Sequence, residues 1–201
     1  MKVLVMCEES QAVCKAFRER GHEAYSVDLQ PCSGGHPEWH FQGDCFLAFK
    51  LVKPDLVVAH PPCTYFSRAG ACHLFHKGKL DEERYKKGLA AKDFFLKFFD
   101  LPVKYLAVEN PVPMGIYELP NASQVIQPYE FGDPYTKKTY LWLKNLPPLI
   151  PTDILCGKIR PWVNSNYKGG YGVASDAKKR SKTFPGIARA MAEQWGNIDG
   201  N

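Results

Sequence analysis

The first thirty residues alternate between apolar and amphipathic stretches in the order strand, helix, strand. The apolar stretch at residues 2–6 predicts a buried strand, and apolar residues at helical spacing after Ser10 predict a helix that Gly21 ends. Residues 23–27 predict a second strand, and the acidic residue Asp28 follows it directly. An acidic residue at this position is typical of nucleoside-binding α/β folds.

The same alternation continues through the rest of the chain. Residues 31–43 are rich in Pro, Gly and His and predict a loop, after which Asp44 is expected to cap a short helix. The further strands are predicted at residues 56–59, 104–108, 125–129 and 139–143, and the further helices at residues 81–100 and 184–195. This order predicts an α/β fold with a Rossmann-like sheet and helices on both faces.

Length, composition and charge favour a single-domain protein without membrane segments. With 201 residues and 45% hydrophobic content, the chain is expected to form a single domain over residues 1–201, with an irregular basic insertion at residues 147–183. A net charge of +5 permits a polyanionic partner. No apolar window is long enough for a bilayer and the N-terminal apolar stretch is too short for a signal peptide, so we expect a cytoplasmic protein without a membrane partner. Seven scattered cysteines favour reduced thiols.

Two polar groups follow neighbouring predicted strands. Cys63 comes after the strand at residues 56–59, and Glu109 and Asn110 come after the strand at residues 104–108. The carboxyl ends of parallel strands share one edge of a sheet, so these side chains are expected to lie close together. A thiolate that adds to carbon 6 of cytosine, helped by a carboxylic acid at N3, makes carbon 5 nucleophilic. We therefore predict Cys63 as nucleophile and Glu109 as acid, with the pKa of Glu109 raised by burial.

The loop after the first strand, residues 6–12, contains no glycine and two glutamates. It is a poor cradle for a pyrophosphate, which needs close backbone approach and free N–H groups. An adenosine cofactor with a cationic tail, such as S-adenosylmethionine, suits it better. Asp28 is predicted to bind ribose hydroxyls and Asp44 the adenine amine; a turn role for Asp28 and a helix N-cap role for Asp44 stay open.

Two short motifs resemble those of the DNA cytosine-5 methyltransferases, in the compact form often carried by phages and prophages. They are Pro-Cys-Thr-Tyr-Phe-Ser at residues 62–67 and Val-Glu-Asn at residues 108–110. The resemblance runs nearly end to end and implies methylation of carbon 5 of a cytosine flipped out of DNA. It implies that Cys63 and Glu109 are catalytic and that Ser67 and Asn110 orient them. A phage-encoded protein would act in the bacterial host cytoplasm.

The resemblance also implies a cofactor site for S-adenosylmethionine at the ends of the first strands. Its expected residues are Met6, Cys7, Glu8, Asp28, Leu29, Asp44, Cys45 and Pro61. Residues 184–188 resemble the last family motif, a helix that packs beside the first strand and closes the cofactor pocket. The first loop departs from the family, which has Phe-x-Gly-x-Gly there.

The predicted DNA contacts come from basic residues late in the chain. Residues 132–143 resemble the family segment Gly-x-Pro-Gln-x-Arg-x-Arg, with Tyr135 in place of the glutamine and Lys137 and Thr139 in place of the arginines. A short basic stretch replaces the family's recognition domain, which predicts loose or short sequence preference on duplex or single-stranded DNA. Free cytidine nucleotide stays open as a substrate. The expected phosphate-binding residues are Lys137, Lys138, Lys178, Lys179, Arg180 and Lys182.

Other interpretations use some of the same residues. A protein that kept the fold but lost catalysis would bind DNA only. A zinc-dependent base or nucleotide deaminase would use a His-x-Glu motif and two cysteines, and the candidates are His36, Glu38, Cys63 and Cys72. A zinc loop would use Cys32, His36, His40 and Cys45. Residues 60–65 also resemble a degraded Asp-Pro-Pro-Tyr loop of methyltransferases that act on exocyclic amines. The preferred interpretation includes no metal.

Overall fold

A seven-stranded mixed sheet flanked by helices organises the chain in a computed structural model, which describes residues 1–162 and 177–198. The strands are β1 (Lys2–Met6), β2 (Glu23–Asp28), β3 (His40–Gln42), β4 (Leu56–Ala59), β5 (Phe75–His76), β6 (Lys79–Leu80), β7 (Tyr105–Pro111), β8 (Gln124–Ile126), β9 (Tyr135–Thr136), β10 (Thr139–Lys144) and β11 (Arg160–Pro161). The α-helices are α1 (Ala12–Glu19), α2 (Cys45–Val52), α3 (Glu82–Leu96), α4 (Ala177–Ser181) and α5 (Pro185–Trp195). Short 3₁₀ turns cover Pro37–Trp39, Arg68–His73, Gly115–Tyr117 and Pro128–Glu130.

The strands of the main sheet lie in the order β3-β2-β1-β4-β7-β10-β8. The first five are parallel, and β10 runs antiparallel to both β7 and β8. The chain builds the sheet outward in one direction from β1 to β3 and then in the other direction from β4. In α/β sheets, ligands bind in the crevice beyond the strand ends where this order reverses. Here the reversal lies between β1 and β4.

Each face of the sheet is covered by its own apolar cluster, because successive strand residues point to opposite faces. On one face, Val3 and Val5 of β1 pack with Phe17 of α1 and with Met191 and Trp195 of α5. The other face packs Leu4 and Met6 of β1 against α2 and the aromatic residues of α3. Helix α5 therefore lies on the β1 face and packs against α1.

The predicted alternation of strands and helices is confirmed as an α/β fold with a mostly parallel sheet, but residues 31–43 are not entirely loop. Residues 40–42 form β3, which pairs in parallel with β2. Phe41 and Gln42 are exposed, so this edge strand has no apolar alternation by which to recognise it. The stretch at residues 147–183 contains β11 and α4, and its residues 163–176 lie outside the described part.

Across the described residues, no helix has the length and apolar character needed to cross a membrane. All seven cysteines are free thiols.

Candidate active site

Cys63 and Glu109 meet at the carboxyl edge of the sheet. Strands β4 and β7 are parallel neighbours in which Ala59 stands opposite Val108, so the loop after β4 runs beside Glu109. The buried amide of Asn110 fastens this loop, because its Nδ2 donates to the carbonyl oxygen of Pro61 at 2.8 Å. The juxtaposition expected from the strand ends is therefore present in the structure.

The groups around Cys63 shift the pKa of its thiol in opposite directions. Burial raises the pKa of the thiol, and the negative charge of Glu109 raises it further. The positive charge of Lys137 and a hydrogen bond with the hydroxyl of Ser67 lower the pKa, but they do not cancel the increase. The backbone N–H of Ser67 donates to the carbonyl of Cys63 at 2.9 Å, which holds the hydroxyl near the sulfur. In this state the thiol keeps its proton at neutral pH.

The pKa of Glu109 is shifted in the direction opposite to the one expected from the sequence. Burial alone would raise the pKa of its carboxyl, but a hydrogen bond from His60 and the charges of Lys137 and His60 outweigh burial. The His60 Nδ1 lies 3.1 Å from the Glu109 Oε2. The pKa of Glu109 therefore lies below its ordinary value, and the predicted increase is wrong. Two cationic neighbours that are distant in sequence cause the reversal.

Lys137 links Cys63 and Glu109 to the C-terminal segment. Its charge acts on both Cys63 and Glu109, while its Nζ donates to the backbone carbonyl of Arg180 at 3.0 Å. Its Nζ also lies 5.9 Å from the centroid of the Phe184 ring. Lys137 is thus held beside the predicted nucleophile and acid.

Glu8, one of the predicted cofactor residues, contacts the first turn of helix α1. Its Oε1 accepts from the N–H of Val13 at 2.7 Å and its Oε2 from the N–H of Cys14 at 3.2 Å. Helix α1 has Gln11 at its N-cap position, and that side chain makes no capping hydrogen bond. Burial raises the pKa of Glu8 and the charge of His60 opposes the increase. Both oxygens of Glu8 are therefore engaged by the helix.

Glu9 is a buried carboxylate that the sequence did not single out from the other residues of the first loop. Its side chain is only 7% exposed, and neither carboxylate oxygen has a hydrogen-bond partner among the described residues. The backbone N–H of Ser33 donates to the Glu9 carbonyl at 2.7 Å, which brings the loop before β3 over this residue. Burying a carboxylate without donors is costly, so Glu9 is suited to a ligand with positively charged donors. The available signal was a second glutamate in a loop without glycine.

The two predicted nucleoside-binding acids differ in what they already contact. The Oδ1 of Asp44 accepts from the N–H groups of Phe46 at 2.8 Å and Leu47 at 2.9 Å, so Asp44 is the N-cap of α2. Among the described residues, the Oδ1 of Asp28 accepts only from the N–H of Gln30, at 2.9 Å, within its own turn. Asp28 therefore keeps more acceptor capacity for a ligand than Asp44 does.

Two thiols lie beside these acids. Cys7 follows β1 with a left-handed backbone (φ 61°), and Cys45 is the first residue of α2. The hydrogen bond between the thiols raises the pKa of Cys7 well above its ordinary value, and burial and the charges of Asp28 and Asp44 act in the same direction. The same hydrogen bond lowers the pKa of Cys45, helped by N–H groups at the start of α2. These four side chains thus gather at the ends of β1 to β3.

The other predicted cofactor residues do not share one environment. The Met6 side chain is fully buried in the core, whereas Leu29 is 78% exposed. Pro61 is buried, and its carbonyl serves the Asn110 amide. Met6, Leu29 and Pro61 therefore do not form a cluster like that of Asp28, Cys7 and Cys45.

The predicted DNA-binding residues lie near both halves of the site. The Lys182 Nζ donates to the Ser33 hydroxyl at 3.3 Å, and the Lys179 Nζ lies 5.9 Å from the Trp162 ring centroid. Lys138 is exposed. Lys178 belongs to α4, and its side chain lies outside the described part of the structure. Because Arg180 accepts from Lys137, the segment before α5 reaches the catalytic half and the loop of Ser33.

The residues proposed for a zinc site do not lie together in the structure. The His36 Nδ1 lies 3.0 Å from the Glu38 Oε1, and its ring stacks on Trp39 with centroids 3.7 Å apart. Cys72 is exposed. Over residues 1–162 and 177–198, no three His, Cys, Asp or Glu side chains are grouped to hold a metal ion. The candidate deaminase residues therefore do not form a zinc site in this structure.

The site as a whole has two halves on either side of the reversal between β1 and β4. The half at the ends of β1 and β2 contains Glu9, Asp28 and the Cys7 and Cys45 thiols and is called the cofactor half after the predicted ligand. The half at the ends of β4 and β7 contains Cys63 and Glu109 and is called the catalytic half after the predicted reaction. Neither protein-family models nor curated proteins match the sequence. The function therefore rests on the geometry and charge of these two halves.

Proposed function

We propose that this protein is an S-adenosylmethionine-dependent DNA methyltransferase that modifies carbon 5 of cytosine. The observation that carries the proposal is the pairing of a nucleophilic thiol with a buried carboxyl group at one edge of a parallel sheet. The acidic side chains of Glu9, which follows β1, and Asp28, which ends the adjacent strand β2, support a separate cofactor site. The resemblance of residues 62–67 and 108–110 to the DNA cytosine-5 methyltransferases supports the same reaction.

In the catalytic half, Cys63 forms a bond from its sulfur to carbon 6 of the pyrimidine. Glu109 binds N3 as a carboxylic acid and offsets the negative charge that thiolate attack brings to the ring, which makes carbon 5 nucleophilic. Ser67 orients the sulfur, and Asn110 holds the loop in place through Pro61. The target base must leave the duplex stack, because a stacked ring cannot present its face to a thiolate.

In the cofactor half, the residues fit a cationic adenosine cofactor. S-adenosylmethionine would supply an electrophilic methyl group when bound. The unpartnered oxygens of Glu9 are suited to its positively charged groups, and the carboxylate of Asp28 is suited to ribose hydroxyls. A dinucleotide would bring phosphates toward the same buried carboxylate and be repelled.

The decisive test is transfer of a labelled methyl group from S-adenosylmethionine to duplex DNA, single-stranded DNA and free cytidine nucleotides. We expect transfer to DNA and a loss on the order of a thousandfold or more in Cys63→Ser, because the nucleophile is removed. Cys156→Ser is the matched control, since Cys156 is an exposed thiol outside both halves, and it should keep wild-type activity.

Label retained by Cys63→Ser would refute the nucleophile assignment. Binding to DNA without any transfer would instead favour a DNA-binding protein that has lost catalysis. A faster reaction on free nucleotides than on either DNA would move the substrate class to nucleotides.

A further inference from the structure

His60 lies between the cofactor half and the catalytic half of the site. It follows β4 directly, and its backbone N–H donates to the Met6 carbonyl at 2.9 Å. Its side chain is 8% exposed, and its Nδ1 lies 3.1 Å from the Oε2 of Glu109. An imidazole is therefore fixed against the carboxyl group that faces the target base in the proposed reaction.

Charged groups surround His60 from each element packed against it. Glu8 approaches from the loop after β1 and Glu109 from β7, while Lys137 precedes β10 and Cys63 lies in the same loop as His60. The Nε2 atom is buried and has no hydrogen-bond partner in the part of the chain that the structure describes. His60 therefore contacts Glu109 through Nδ1, while no described protein atom uses Nε2.

The proposed reaction needs a proton that Glu109 does not hold in the resting site. The pKa of Glu109 lies below its ordinary value because its cationic neighbours outweigh burial, so the carboxyl group is ionised at neutral pH. Binding to pyrimidine N3 requires a donor, since N3 of cytosine is an acceptor. The Lys137 Nζ donates to the carbonyl of Arg180 and, within the described residues, makes no hydrogen bond with Glu109. The ring nitrogen in hydrogen-bond contact with Glu109 is the Nδ1 of His60.

We propose that His60 is a positioning residue that holds the proton which Glu109 delivers to N3, an inference that rests on the proposed function. As the base enters, the Nδ1–H bond breaks and an O–H bond forms on Glu109, leaving a neutral imidazole and a neutral carboxylic acid. The acid donates its proton to N3 while the Cys63 sulfur bonds to carbon 6. The thiol releases its own proton to solvent beforehand. After methyl transfer, carbon 5 loses its original proton to water while the bond between carbon 6 and the Cys63 sulfur breaks and the sulfur leaves as a thiolate. The N3 proton then returns to Glu109 and from there to His60.

His60→Asn tests this proposal because the side-chain amide of asparagine can donate from the position of Nδ1 but cannot give up a proton. Single-turnover methyl transfer is measured in both proteins from pH 6 to pH 9. Above the titration midpoint of Glu109 in the variant, the ratio of the wild-type rate to the variant rate should rise with pH, by up to about tenfold per pH unit for as long as the wild-type pair keeps its proton, because the variant must then take one proton from solvent. A ratio that is constant with pH would mean a structural role only and would overturn the proposal.

A second readout does not depend on methyl transfer. Carbon-13 NMR of labelled glutamate carboxyl groups follows the titration of Glu109, which Glu109→Gln identifies by its missing signal. The midpoint should rise in His60→Asn and in His60→Gln, and stay at the wild-type value in His22→Gln, whose histidine lies beside the N-terminal amine. An unchanged midpoint in both His60 variants would overturn the coupling. No methyl transfer with a shifted midpoint would refute the proposed function instead.

Discussion

Replacing Glu9 with glutamine should stabilise the protein and weaken its cofactor binding at the same time. Glu9 is buried, and neither oxygen of its carboxyl group has a partner among the described residues. An unpaired buried charge costs several kcal/mol, whereas an unpaired neutral polar group costs about 1–3 kcal/mol. We therefore expect Glu9→Gln to raise the free energy of unfolding by roughly 1–2 kcal/mol. For a chain of this length that is a rise in Tm of about 2–8 °C.

The same substitution should cost affinity, because the ligand loses its opposite charge. Removing one partner of a buried charge pair costs about 2–5 kcal/mol, and taking the lower part of that range predicts a Kd for S-adenosylmethionine that rises roughly 30- to 150-fold. The demethylated product, S-adenosylhomocysteine, keeps the ammonium group and lacks the sulfonium. An equal loss for both ligands would place the ammonium against Glu9, and a loss for S-adenosylmethionine alone would place the sulfonium there.

Thermal unfolding by circular dichroism and isothermal titration calorimetry measure the two effects. Glu19→Gln is the matched control, because Glu19 is an exposed carboxylate on α1, and it should change neither quantity. If Glu9→Gln binds both ligands as tightly as the wild-type protein does, the proposed contact is wrong. A lower Tm would show that Glu9 has partners that stabilise the fold without a ligand.

Three further predictions concern Glu8, Asn110 and Cys63. Glu8→Ala should lower the free energy of unfolding by roughly 2–4 kcal/mol in urea titrations, because two buried N–H groups of α1 lose their acceptor. Asn110→Ala should cost about 1–3 kcal/mol by the same measurement, because the Pro61 carbonyl loses its donor. It should slow methyl transfer more than it weakens cofactor affinity. Alkylation of Cys63, followed by mass spectrometry, should be slow at neutral pH and accelerate toward alkaline pH, because burial raises the pKa of the thiol. Glu109→Gln should speed alkylation at a given pH by removing a negative charge.

A specific result would contradict each of these three predictions. A Glu8→Ala protein as stable as the wild type would contradict the capping role. Equal losses of affinity and rate in Asn110→Ala would mean that this residue does not position the Cys63 loop. Alkylation of Cys63 that is already maximal at neutral pH would show an ionised thiol.

The strand ends were the most predictable part of the site. Short apolar stretches identified β4 and β7, and parallel strands place the residues that follow them at one edge. Those two facts sufficed to bring Cys63 beside Glu109. The N-cap alternative for Asp44 was likewise available from local residue preference, since the hydrogen bonds it makes lie within three residues.

The remaining features depended on residues that are distant in sequence. The direction of the pKa of Glu109 is set by His60 and Lys137, and no local pattern indicates their approach. Glu8 and Glu9 are identical in type and adjacent, yet one caps a helix and the other is unpartnered, because only the path of the folded loop distinguishes them. Strand β3 was missed since its place in the sheet depends on backbone pairing.

The packing of α5 on β1 and α1 has a consequence for how the chain acquires its structure during synthesis. Val3 and Phe17 emerge from the ribosome early, but the residues that cover them, including Met191 and Trp195, are made more than 160 residues later. Until then this face of the sheet stays apolar and uncovered, which favours aggregation or binding by chaperones. A nascent chain stalled before α5 should therefore bind chaperones more strongly than the completed protein does.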